Sequence, residues 1–199
     1  MTVMKQRYHI VLASNSPRRK ELLAGLGVAF SVRVQPGIDE SYPGTLAPRE
    51  VPAFIAARKA DAYRFAMAAD ELVVTADTVV VTGREILGKP AGSEDACRML
   101  RLLSGATHQV VTGVCLTTTE EQRRFSVTTD VTFKRLSEQE INYYVSTFRP
   151  FDKAGAYGIQ EWIGYIGVTG LRGSYYNVMG LPVQRIYEEL VSMGALELE

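Results

Sequence analysis

Between Ala13 and Lys20 the chain reads Ala-Ser-Asn-Ser-Pro-Arg-Arg-Lys, where an apolar run beginning at Ile10 turns into the start of a helix. Ser16 suits the N-cap. Pro17 suits the first helical position, whose N–H has no intrahelical partner to lose. The free amides of a helix start and the positive end of its dipole attract anions. Arg18, Arg19 and Lys20 are unfavourable at that end by themselves, which points to an anion as the compensating group. A polyphosphate matches so much charge better than one carboxylate does. The competing reading of this segment alone is a solvated basic helix start with surface partners.

Asp77 is the sharpest single position. It interrupts an apolar stretch, Leu72-Val73-Val74-Thr75-Ala76 before it and three valines after Thr78. A carboxylate in a core strand is costly unless it is paired, hydrogen-bonded or bound to metal. It is therefore a structural carboxylate on backbone donors or an arginine, a metal ligand, a general base, or the last two together. Asp39-Glu40 offers a second acidic centre: a solvated pair by itself, but beside Asp77 and a phosphate the remainder of an oxygen-rich Mg²⁺ site. Lys59 falls on a long helical pattern, where lone lysines are usually solvated. Lys89 is more specific, since Gly88 lets backbone approach a ligand and Pro90 stiffens the exit. Gly155-Ala156-Tyr157-Gly158-Ile159-Gln160 reads either as an ordinary turn or as a way to bring the Gln160 amide to a planar base. The aromatics of Ser174–Pro182 read as core rather than stacking platforms. No P-loop signature is present in the chain.

The elements that must position these residues follow from periodicity and punctuation. Strands are expected at Tyr8–Ala13, Ala29–Gln35 and Leu72–Val81, the last too apolar to face water and so central. Helices are expected at Ser16–Leu26, ended by Gly27, and at Pro48–Ala69, where Pro52 is tolerable only in the first turn. Gly83-Arg84 turns the central strand back onto Glu85–Leu87. Ser93 is a plausible cap for a helix to Leu103. His108–Thr118 and Arg124–Lys134 flank a polar turn, and Ser137-Glu138-Gln139-Glu140 is a capping-box sequence opening a helix to about Thr147. A glycine-rich loop and strand region is expected over 149–181 and a closing helix over Pro182–Met193. Alternating strands and helices with long hairpins point to an α/β fold with a mixed sheet, flanking helices and two lobes around a cleft. The candidate residues lie in connections at strand ends, where α/β proteins carry their sites.

Bulk properties narrow the class. At 199 residues, the chain suits one large domain or two lobes sharing a core, burying roughly 70% of its unfolded surface. Twenty-two Lys and Arg balance twenty-two Asp and Glu, so no global field favours nucleic acid or an acidic membrane and any anion site is local. Apolar stretches fall well short of the roughly 20 residues that span a bilayer, and residues 1–9 lack the features of a signal peptide. Cys97 and Cys115 read as buried free thiols, and His9 and His108 show no ligand spacing. These features suggest a cytoplasmic protein; exposed hairpins leave room for a homodimer.

Eight ordered motifs resemble one family: Ala-Ser-Asn-Ser-Pro-Arg-Arg (13–19), Ile-Asp-Glu (38–40), Ala-Arg-Lys-Ala (57–60), Ala-Asp-Thr (76–78), Gly-Lys-Pro (88–90), Leu-Ser-Gly (103–105), Asp-Lys-Ala-Gly-Ala-Tyr-Gly-Ile-Gln (152–160) and Asn-Val-Met-Gly-Leu-Pro (177–182). In this order and spacing they resemble the Maf proteins, nucleoside triphosphate pyrophosphatases sharing an α/β fold with the inosine triphosphate pyrophosphatases. The resemblance implies one such domain over residues 1–199. It also implies hydrolysis of a nucleoside triphosphate to the monophosphate and pyrophosphate with Mg²⁺ or Mn²⁺. The family's catalytic acid matches Asp77. Its other functional charged positions match Glu40, Arg19, Lys59 and Lys89, and Ser14 matches a polar position at the phosphate site. Arg18, Thr78 and Gln160 match the base-sensing residues of the subgroup acting on UTP and dTTP; the 7-methyl-GTP subgroup carries tryptophan at the first of these.

The expected mechanism is in-line attack of water on the α-phosphorus, with Asp77 and Glu40 holding the metal and Asp77 or a neighbouring carboxylate accepting the proton. Modified pyrimidine nucleotides are the runner-up substrates. The rival from another class is a nucleotide-binding regulator of cell division without turnover. A plain phosphohydrolase releasing orthophosphate is a third reading. No nucleic-acid or membrane partner is expected.

Overall fold

The computed structural model describes residues 4–199; the first three residues of the segment read as lacking a signal peptide lie outside them. In chain order the elements begin with β1 (Met4–Gln6), β2 (His9–Leu12), α1 (Pro17–Ala24), β3 (Phe30–Val32), α2 (Val51–Tyr63) and β4 (Glu71–Thr82). There follow β5 (Glu85–Leu87), α3 (Ser93–Leu103), β6 (Thr107–Thr117), β7 (Gln122–Phe133) and α4 (Glu138–Phe148). The chain closes with α5 (Trp162–Gly167), β8 (Val168–Arg172), α6 (Tyr175–Met179), α7 (Val183–Ser192) and β9 (Leu196–Leu198). The main sheet runs β3-β2-β4-β6-β7-β8, with β5 on β4. β2 is parallel to β3 and β4, whereas β5 is antiparallel to β4 and β8 to β7. The sheet is therefore mixed, as the alternation of elements implied. A second, two-stranded sheet pairs β1 with β9 antiparallel, which no sequence signal announced.

Two compact units divide the chain, and the division falls inside β4 between Asp77 and Thr78. The first holds the residues up to Asp77, Thr112–Val127 and Gly180–Glu199; the second holds Thr78–Val111 and Thr128–Met179. In the first, Ala56, Ala57 and Ala60 of α2 pack on Cys115, and Tyr63 packs between Val11 and Val73. In the second, Leu87, Leu100, Leu103, Phe133, Ile141, Tyr144 and Ile163 share one core.

Local chemistry explains most boundaries. Ser16 caps α1 through its hydroxyl on the Arg19 amide at 3.4 Å, with Pro17 at the start. The last turn tightens, with Leu26 N on Leu23 O and Gly27 N on Ala24 O, so α1 ends before the expected Leu26. Pro52 lies in the first turn of α2, as its missing donor requires. That helix stops at Tyr63 and continues as a 3₁₀ turn, Arg64–Ala66, rather than to Ala69. The Tyr63 hydroxyl is held there, accepting from Gln35 N at 2.8 Å and donating to Arg33 O at 3.0 Å. The capping box of α4 forms in both directions.

Further expectations are corrected. The aromatics of the 174–182 segment, read as core, are Tyr175 and Tyr176, and both are exposed. Gly92, not Ser93, occupies the N-cap of α3, because the Asp95 carboxylate takes the Ala91 amide and Ala96 N already bonds Gly92 O, drawing Ser93 into the helix. β3 covers Phe30–Val32 only, short of the strand expected over 29–35. The 149–181 region holds α5 and α6 besides β8, not loop and strand alone. The N-cap residue of α5, Glu161, makes no capping bond; its carboxylate is engaged elsewhere, so the usual start signal is missing. Cys97 and Cys115 are both free thiols, as expected, but only Cys115 is buried; Cys97, expected to be buried too, is half-buried. No helix among the described residues is long and apolar enough to cross a membrane.

Candidate active site

Asp77 follows a stretch of β4, Leu72–Ala76, that is buried throughout. Strand alternation sends Thr75 and Asp77 to the same side. Thr75 Oγ1 donates to Ala56 O at 2.7 Å, and Lys59 Nζ donates to Asp77 Oδ1 at 3.0 Å. Ala56 and Lys59 are three residues apart, neighbours on one helical face, so two alternate positions of the strand meet one face of α2. The approach is close because that face is small. A Cβ at Gly113 of β6 would stand 2.1 Å from Ala53 N, leaving room for glycine alone.

Lys59 Nζ also lies 3.1 Å from Glu40 Oε1, so one ammonium bridges two carboxylates from separate elements. The side chains of Lys59 and Asp77 are 15% and 16% exposed, whereas Glu40 is 56% exposed. The inner pair is thus withdrawn from bulk water and the outer one is screened by it. Among the described residues no cluster of three or more His, Cys, Asp or Glu side chains is arranged to hold a cation. Asp77 and Glu40, the two carboxylates that meet Lys59, are hard oxygen donors of the kind Mg²⁺ takes one or two of when phosphate oxygens and waters complete its shell.

Arg19 is built into the same unit. Its Nε donates to Gly180 O at 2.9 Å and one terminal nitrogen to Ala76 O at 2.8 Å, next in the chain to Asp77. The residue keeps some exposed surface, but its guanidinium is enclosed. Burial pushes its pKa below the ordinary value, Asp77 and Glu40 oppose that, and neighbouring Arg18 adds to it. An arginine so placed remains a cation near neutrality. Ser14 is buried, its hydroxyl accepting from Ser16 N at 3.2 Å. Arg18 is half-buried on α1. The first unit therefore brings Asp77, Glu40, Lys59 and Arg19 into one electrostatic group, with Ser14 and Arg18 at the start of α1.

Thr78, Lys89 and Gln160 belong to the second unit. Thr78 is half-buried and Lys89 is exposed between Gly88 and Pro90. Gly155 N donates to Gly88 O at 3.0 Å, tying that turn to a 3₁₀ turn over Ala154–Ala156. Gln160 ends a tightly organised segment. Buried Lys153 pairs with Asp152 at 2.7 Å and Glu161 at 2.9 Å. The other oxygen of Glu161 accepts from the Tyr144 hydroxyl, which itself accepts from Gly158 N at 3.0 Å. Burial, then Glu161, push the Tyr144 phenol pKa up, keeping it a donor. A Cβ at Gly158 would stand 2.9 Å from Glu161 Cδ and 3.0 Å from Gln160 Nε2, so glycine is what lets the amide pack there. Farther back, His108 Nε2 and the Tyr157 hydroxyl are 2.8 Å apart in the core, and burial lowers the histidine pKa to about 4. Sequence reasoning did not single out Tyr144, Lys153 or Glu161. Lys153 inside the 152–160 motif was the available signal, whereas nothing local marks a tyrosine on α4.

The profile of the family described as Maf-like protein matches residues 9–193. A dTTP/UTP pyrophosphatase of Phocaeicola vulgatus is 60% identical over 185 residues, covering 93% of this chain and 96% of that protein. One from Bacteroides thetaiotaomicron is 60% identical, covering 92% and 95%, and one from Porphyromonas gingivalis (strain ATCC 33277) is 55% identical, covering 95% and 96%. A solved structure, the Staphylococcus aureus Ham1 protein, aligns at 15% identity with a TM-score of 0.44 over 63% of this chain and 71% of that one, too distant a likeness to argue from. The motif resemblance is borne out by a match running through nearly every element from β2 to α7: the chain belongs to the family of Maf-like proteins.

Proposed function

We propose that this chain is a nucleoside triphosphate pyrophosphatase of the whole 199-residue length, hydrolysing dTTP and UTP to the monophosphate and pyrophosphate. The observation that carries the reading is the Lys59 ammonium between Asp77 and Glu40, in a chain whose relatives at up to 60% identity bear that activity in their names. In the reaction, a water oxygen bonds to the α-phosphorus. The bond from that phosphorus to the α–β bridging oxygen breaks, and pyrophosphate leaves with the electron pair. Asp77 accepts the water's proton. Arg19, Lys59 and Lys89 stabilise charge on the α-phosphate and the leaving group. Ser14 and the amides of the α1 start add neutral donors for phosphate oxygens.

Asp77 and Glu40 would hold a divalent cation, Mg²⁺ or Mn²⁺, which when bound neutralises phosphate charge and makes a coordinated water more acidic. Arg18, Thr78 and Gln160 read the base; the Gln160 amide offers both a donor and an acceptor, suited to the edge of uracil or thymine. Free nucleotides in the cytoplasm are the substrates, modified pyrimidines included.

Product analysis tests this. Purified protein with Mg²⁺ or Mn²⁺ is offered UTP, dTTP, CTP, the purine triphosphates and 7-methyl-GTP. Pyrophosphate released fastest from UTP and dTTP supports the reading. Orthophosphate as first product, or binding with no turnover of any nucleotide, overturns it.

A further inference from the structure

α2 presents two adjacent residues to the acidic loop. Lys59 reaches Glu40 itself; Arg58 reaches the residues on either side of it. Arg58 Nη1 donates to Ser41 O at 2.7 Å and to Ser41 Oγ at 3.3 Å, and Nη2 donates to Asp39 Oδ2 at 2.8 Å. Asp39 closes the turn from within, accepting Ser41 N at 2.9 Å and the Ser41 hydroxyl at 2.8 Å. One helix side chain therefore grips both neighbours of Glu40 and leaves Glu40 directed at Lys59. Phe54, one turn back on α2, lies beneath the guanidinium, its ring centre 5.9 Å from Cζ.

The loop needs such an anchor. No regular element lies between Val32 and Val51, and residues 39–45 are all exposed. A connection of that length keeps a defined path through a few tertiary contacts, not through its own hydrogen bonds. Tyr63 supplies one at Arg33 and Gln35, and Arg58 supplies the next at Asp39 and Ser41. Lysine is a poor substitute, because a single ammonium lacks the planar fork that spans a carbonyl and a carboxylate together.

We propose that Arg58 is a positioning residue that acts through Glu40, clamping the Asp39–Ser41 turn so that the Glu40 carboxylate meets Lys59 and the reacting phosphates in one fixed geometry. The proposal rests on the reading of Glu40 as functional. Its test is a double-mutant cycle on the full chain, scored as kcat/KM for pyrophosphate release from UTP, together with amide hydrogen exchange of the loop. Arg58→Ala lowers kcat/KM about tenfold in the wild-type background, the scale of losing a pair of charge-assisted hydrogen bonds, and under about twofold when Glu40 is already Gln. Exchange at the Ser41 amide speeds up in Arg58→Ala, while the strands of the sheet keep their protection. Where the alanine variant does not fold, Arg58→Gln keeps the stem on Phe54 and removes the fork.

An equal fold-loss in both backgrounds, or unchanged exchange at Ser41, overturns the proposal. Full activity of Glu40→Gln alone overturns the Glu40 assignment and the clamp's purpose with it. A wild-type chain that does not hydrolyse UTP refutes the proposed function instead, and the exchange arm still decides whether Arg58 orders the loop.

Discussion

Replacing Lys59 by Met keeps the shape of the side chain and removes the ammonium that faces Asp77 at 3.0 Å and Glu40 at 3.1 Å. At an effective dielectric of about 20 the inner contact is worth about 5 kcal/mol of gross attraction, most of it cancelled by the desolvation of both ions. Removing one partner costs about 0–1 kcal/mol at an exposed pair and about 3–5 kcal/mol at a buried one. With Lys59 and Asp77 each about one-sixth exposed, Lys59→Met falls between these limits and loses about 1–3 kcal/mol of stability. Glu40 adds little, since solvent screens it. In Lys59→Met/Asp77→Asn both charges are gone, and about 1 kcal/mol or more of the loss is recovered. Urea titrations at pH 7 on the wild type, both single variants and the double variant measure this coupling. A coupling below about 0.3 kcal/mol would show that the bridge is not formed in solution and would remove the observation on which the site is built. In the same set, Asp77→Asn loses at least about a hundredfold in turnover, the scale of a missing general base, while staying folded. An Asp77→Asn enzyme with most of its activity refutes the role of Asp77.

His108 governs part of the acid sensitivity. Its folded pKa, about 4 against an ordinary 6.5, means that the unfolded chain binds the proton first, so stability is full above pH 6.5 and falls as pH drops toward 4. The loss is roughly 3 kcal/mol; His108→Gln flattens that limb in urea titrations between pH 7 and 4, and an unchanged slope refutes the assignment. Gly113→Ala forces a methyl into the Pro52–Ala53 backbone and costs at least about 3 kcal/mol, read as insoluble expression or a collapsed melting point; a wild-type melting curve would contradict the close approach of α2 to β6. Tyr144→Phe leaves the Gly158 amide and the Glu161 carboxylate each short of a partner, lowering stability by about 1–3 kcal/mol. It also narrows the preference for UTP over CTP, because Gln160 lies between those two residues in the chain; unchanged selectivity would separate this network from base reading.

Legibility in the sequence varied by element for physical reasons. Helix starts with their own chemistry were readable: the Ser16-Pro17 cap and the Ser137–Glu140 box satisfy amides with local side chains, so the signal travels with the segment. α3 was read correctly except at its cap, where Asp95 inside the helix takes the Ala91 amide and Gly92 stands at the N-cap in place of Ser93. The ends of α1, α2 and β3 were overrun because apolar periodicity continues past the point where the backbone turns: α1 closes in a tight local turn at Gly27, and the Tyr63 hydroxyl holds Arg33 and Gln35 where α2 and β3 end. α5 and α6 were missed since glycine-rich sequence reads as loop, although Trp162, Ile163 and Ile166 are held by the core of the second unit. At the site, Asp77 stood out because a charge in a buried strand demands an explanation. Arg58 did not, because an arginine on a helix usually needs none.

By itself, the sequence determined the element alternation that makes a mixed α/β sheet, the capped start of α1 and the set of motifs that assigns the family. These depend on neighbours a few residues apart, or on order along the chain. Tertiary structure alone decided that Lys59 stands between Asp77 and Glu40, that Arg58 holds Asp39 and Ser41, and that Tyr144 holds Gly158 and Glu161. Each of these joins residues from different elements, and the first depends on how closely α2 approaches β4 and β6, which the alanines of α2 and Gly113 permit. Local propensity acts over a few residues, whereas a charge pair at 3 Å is set by packing across the fold.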